Sequence, residues 1–137
     1  MSWTILRHIL LAIILLAILA VSGCTQAGPR PSRDAIDVAD VTAERMLQSL
    51  NTGDYEAFTA NFSAPMIRAV NETMFNDIRK WVRDRYGDYI SKSESSAYAI
   101  QSYNNFEYSC KFSKGNVVFR LTMNQTNISM VEGEHFL

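Results

Sequence analysis

The chain has 137 residues, 47% of them apolar and 20% charged, with a formal net charge of −1. That length has room for one domain and little else. A charge so near neutral argues against a nucleic-acid partner, which would need a basic stripe to neutralise phosphates.

The N-terminus is a segment apart. Arg7 and His8 close a short positive start, and Ile9–Val21 is then uninterrupted Ile, Leu, Ala and Val. Such a run spans about 20 Å as a helix, short of the ~30 Å hydrocarbon core of a bilayer. A positive start, a short apolar stretch and small residues before a cut site describe a secretory signal. Val21-Ser22-Gly23-Cys24 resembles a lipobox, in which the cysteine thiolate accepts a diacylglyceryl group. The resemblance implies a signal peptide over residues 1–23, cut between Gly23 and Cys24. It also implies a lipid on Cys24 that makes the outer face of a membrane the chain's first partner. An uncleaved membrane anchor and an ordinary thiol beside an ordinary signal cut are the alternatives. All three place the domain outside the cytoplasm. Loss of residues 1–23 removes one cation, Arg7, and leaves a formal charge of −2.

Cys110 is then the one free cysteine, so no disulfide framework is expected. Its alternation with Phe106, Tyr108 and Phe112 places it on an apolar strand face as a small hydrophobe, with a reactive thiol as the alternative.

Residues 24–33, with Gly28, Pro29 and Pro31, read as a short extended tether. One α+β domain is expected over 34–137. Asp34–Leu50 carries Ile36, Ala39, Ala43, Met46, Leu47 and Leu50 on one helical side, with Asp34, Asp37, Asp40 and Glu44 on a solvated flank. Gly53 and Asp54 close this helix and cap the next, which holds Tyr55 and Phe58. Ser63-Ala64-Pro65 opens a third helix, whose apolar stripe is Ile67, Val70, Met74, Ile78, Trp81 and Val82. After Gly87 the period changes from 3.6 to 2. Tyr98/Ile100, Phe106–Phe112, Val117–Met123 and a final run around Ile128–Phe136 alternate, separated by turns at Ser113–Asn116 and Asn124–Asn127. The sequence thus predicts three N-terminal helices packed on an antiparallel meander sheet of about four strands.

That order resembles the nuclear transport factor 2-like (cystatin-like cone) fold. Leu50-Asn51-Thr52-Gly53-Asp54-Tyr55-Glu56-Ala57-Phe58 and the closing Ile128–Phe136 resemble a family within it, the domain of unknown function 3887. The resemblance implies a fold and an extracytoplasmic habit, and transfers no catalytic residue.

Read for chemistry, the chain offers no catalytic set, cofactor loop or metal cluster. His135 is the one histidine after processing, and on a regular strand Glu132 and Glu134 share a face from which His135 points away. The aromatics are richer. Tyr98, Tyr103, Phe106, Tyr108, Phe112 and Phe119 could line one sheet face, with Trp81 above it. Tyr98, Tyr108, Phe119 and Trp81 are the ligand-pocket candidates, against the plainer reading that these rings fill the core. Of four sequons, those at Asn124 and Asn127 lie in a turn and are the glycosylation candidates. The expected function is non-enzymatic binding of a small ligand or protein partner at the cell surface. A small cone-fold enzyme and a homodimer joined through the sheet are the alternatives.

Overall fold

The computed structural model describes residues 28–137, so the signal segment and Cys24 lie outside the described residues. Among the described residues no helix is long and apolar enough to cross a membrane.

Each helix starts where a side chain can accept a free backbone N–H. The Ser32 hydroxyl accepts from Ala35 N to open α1 (Arg33–Thr52), and Gly53, at φ 79°, closes it with its N–H on the Ser49 carbonyl. Asp54 caps α2 (Tyr55–Thr59) and Ser63 caps α3 (Ala64–Ala69). Asn71 then caps a further helix, α4 (Glu72–Tyr86), accepting from Met74 N. The single third helix expected from the sequence is therefore two, broken at Val70, whose φ of −114° and ψ of 78° are not helical. The break divides the stripe, keeping Val70 and Val82 in the core with Ile78 packed against it and turning the other members outward. Phe75 and Val82 are the buried residues of α4, while Ile67, Met74 and Trp81 are 42%, 46% and 45% exposed.

Four strands follow in chain order as an open antiparallel meander: β1 (Tyr89–Ile100), β2 (Tyr103–Phe112), β3 (Gly115–Asn124) and β4 (Val131–Phe136). The fold is α+β, with four helices in place of three. On the inner face Phe106 is opposite Leu121, Tyr108 opposite Phe119 and Asn104 opposite Met123. All of these but the polar Asn104 pack with Ala39, Ala43, Met46 and Leu47 of α1 and with Phe58 and Phe75 into one core.

Irregularities in the pairing decide which side chains reach that core. In β1, Ile90 and Ser95 are extra residues, each passing without a partner as β2 advances one step. Lys92 and Glu94 therefore face inward opposite Cys110 and Tyr108, whereas beyond Ser95 it is Ala97 and Ala99 that do. Tyr98 is thereby sent to the outer face, contrary to the single aromatic face read from the sequence. Tyr103 and Ile100, paired at the hairpin end, are exposed. A third irregularity, opposite Thr122 and Met123, lets β4 gain a residue. Glu134 then lies opposite buried Leu121 on the inner face, while Glu132 reaches Asn124 on the outer one. The two glutamates do not share a face as regular alternation would require.

Candidate functional site

The structure separates the four aromatic candidates. Tyr108 and Phe119 are cross-strand partners, both fully enclosed by protein. Tyr98 lies on the opposite face, its hydroxyl donating to Glu107 at 3.4 Å. Trp81 sits at the rim, with Arg85 over its ring at 5.7 Å and Phe136 at 6.3 Å. Two of the four thus belong to one packed layer, and the other two do not join them.

Two inward charged groups stand out that the sequence reading did not place on the inner face as site residues. The first is Lys92, whose side chain is only 5% exposed. Its ammonium reaches Asp40 at 2.5 Å and Glu44 at 3.8 Å, and lies 4.7 Å from the centre of the Tyr108 ring. Tyr89 donates its hydroxyl to the same Glu44 at 2.8 Å. Part of the acidic row expected to be solvated thus pins α1 to β1. Loss of hydration and the nearby Glu44 raise the Tyr89 phenol well above its usual range. The Tyr108 hydroxyl is buried beside this cluster without a hydrogen-bond partner. Cys110, opposite Lys92, is a buried thiol pushed up to about 11 by lost hydration. This is the inert small hydrophobe expected of an apolar strand face.

The second is Glu134. Its inward position on edge strand β4 leaves it half-buried, and the partial loss of hydration pushes its carboxyl up to about 7. No neighbouring charge or hydrogen bond among the described residues offsets that cost. Phe136 shares its face two residues on and stacks against Phe119 at 5.0 Å, with Trp81 behind it. Helix α3, which carries the exposed Ile67, packs against the same strand. Glu134 therefore lies on a strand flanked by partly exposed apolar side chains, and its carboxyl has no counter-charge among the described residues.

Other polar features are already satisfied. A shallow hollow of about 390 Å³ beside α1 is lined by Val38, Val41, Arg45 and Asn61, among others. Arg45 there is spent on the Ala57 carbonyl and on the Asn61 side chain. On the outer sheet face Arg120 holds Glu107 at 2.7 Å, and Thr122 donates to Asn105 at 2.8 Å. In the β3–β4 turn, Asn124 accepts from the backbone N–H of Thr126 and Asn127, which occupies its carbonyl oxygen. Asn127 is exposed. Among the described residues no three His, Cys, Asp or Glu side chains converge as a metal site would need.

The family model described as protein of unknown function (DUF3887) matches residues 43–128, well over half of the chain. The match takes in the Leu50–Phe58 step between α1 and α2. It ends before β4, so the resemblance of the last strand, and Glu134 with it, lies beyond the matched residues. No curated protein and no solved structure matches. With its helical step and the first three strands inside the match, the chain belongs to the DUF3887 family of proteins of unknown function.

Proposed function

We propose that the chain is a non-enzymatic, lipid-anchored binding domain on the outer face of a membrane, taking a small apolar ligand with a basic group at the β4 border. The anchor is supported by Val21–Cys24 after its apolar run. The helix-then-meander order supports kinship with the nuclear transport factor 2-like cone.

One observation carries the binding site: Glu134 is an inward, half-buried carboxyl with no ion-pair or hydrogen-bond partner among the described residues. A cation delivered by a ligand would return it to the charged form, and the exposed Trp81, beside Phe136, and Ile67, on the helix packed against β4, offer apolar surface along the same strand. A pKa near 7 also suits a general base, which favours the small-enzyme alternative with Glu134 in that role. The outer sheet face, closed by Glu107–Arg120 and Asn105–Thr122, is dressed for water more than for a second copy of the chain.

Thermal unfolding at pH 7.5 with a series of alkyl and aryl amines, and with the matching alcohols, tests the site. The amines should raise the melting temperature of the wild type by several degrees through binding to the native state. The alcohols, and amines added to Glu134→Gln, should not. Equal shifts in the variant, or none in the wild type, would reject the β4 site. Intact-mass measurement of membrane-extracted protein tests the anchor separately: Cys24 should be the first residue and carry acyl mass.

A further inference from the structure

The tether reaches the domain at one defined point. The Pro29 carbonyl accepts from Ala99 N at 2.8 Å, next to the tip of the β1–β2 hairpin, and Arg30 holds Glu94 at 2.6 Å on the same strand. Gly28 lies so close that a Cβ there would come within 1.7 Å of the Ala99 carbonyl oxygen. From Cys24 to Gly28 is four residues, at most ~14 Å of fully extended chain. A lipid on Cys24 therefore holds Gly28, against Ala99 at the base of the hairpin tip, within that distance of the bilayer surface.

The tip is built unlike the rest of the surface. Ile100 and Tyr103 face each other across a two-residue turn, 50% and 40% exposed, with Gln101 in the left-handed region at φ 53°. The β3–β4 turn is tied alongside, Gln125 donating its backbone N–H to Ser102 and its side-chain amide to Tyr103, each at 3.0 Å. From Ser95 to Phe106, and again from Leu121 to Val131, no side chain carries a charge. The opposite end of the sheet carries Lys111, Lys114 and Asp88 around its turn. An uncharged rim with one aliphatic and one phenolic side chain is the composition that settles at a lipid–water interface.

Resting on the lipid-anchor reading, we infer that the β1–β2 hairpin tip, through Ile100 and Tyr103, lies on the membrane surface, so that anchor and tip together fix the domain's orientation.

The test uses full-length acylated protein in phosphatidylcholine vesicles containing brominated chains. An environment-sensitive fluorophore is placed by Ile100→Cys, Tyr103→Cys or, at the far end, Lys114→Cys. Buried Cys110 does not compete for the label. Each variant is first matched to wild type by its melting temperature, and acylation by intact mass. The probe at 100 or 103 should be blue-shifted and quenched by the brominated lipid at least several-fold more than the probe at 114. Acylated protein in which all three probes are equally wet would overturn the inference alone. Protein without acyl mass on Cys24 would overturn the anchor, and this inference with it.

Discussion

Glu107, Tyr108, Phe119 and Arg120 sit side by side in β2 and β3, yet the two faces of the sheet treat them differently. Inward, Tyr108 and Phe119 are fully enclosed, and inward polar groups such as Lys92 and Glu134 must find a partner or bear the loss of water. Outward, Glu107 and Arg120 pair at the half-exposed outer face, where removing either partner leaves water to take its place. Position on the pleat, more than residue type, therefore sets what each side chain is worth. It also marks Glu134 as the side chain whose burial fold stability alone does not explain.

Four measurements would break or sharpen that contrast. The largest effect belongs to Phe119→Ala, which should lower stability by about 3–5 kcal/mol in reversible denaturant unfolding. A loss under about 2 kcal/mol would show that the ring borders open space.

Glu134 comes next. Its pKa is raised on folding, from 4.5 to about 7, so the native state holds the extra proton between those values. Stability should therefore fall as pH rises from about 4.5 to about 7, by about 1–3 kcal/mol, and level off above. Glu134→Gln should remove that slope and be the more stable protein at pH 8. A wild-type profile with the same slope as the variant's would show the carboxyl to be hydrated.

Tyr108→Phe removes a buried hydroxyl that has no partner. It should raise stability by up to about 1 kcal/mol, because such a group bears its desolvation penalty uncompensated. A clear loss would reveal a hydrogen bond to that oxygen in solution. The smallest effect is expected outside, where Arg120→Ala should cost under about 1 kcal/mol and less still at high salt. A loss as large as that of Phe119→Ala would mean that the outer face is covered in the native protein.

Much of the architecture was legible because it follows from periodicity and caps. The Ala39–Leu50 stripe of α1, the Gly53-Asp54 step and the alternation of β2 and β3 appear where the sequence places them. The third helix was misjudged because Val70 continues an apolar stripe that Asn71 interrupts, and a cap competes with helix propagation on equal local terms. Of the candidate site, only the aromatic layer of Tyr108 and Phe119 could be read. Tyr98 was lost to the extra residue at Ser95, and Glu134 was separated from Glu132 by the irregularity within β4.

By itself the sequence determined the α+β class, the order of the elements, the inner alternation of the two central strands and the short distance from Cys24 to the domain. These depend on spacing along one chain. The tertiary structure alone decided that Lys92 lies under α1, that Tyr98 faces away from Tyr108, and that Glu134 turns inward and is half-buried. Each depends on register between strands, where one extra residue reverses every face beyond it, and on how much protein then covers the side chain.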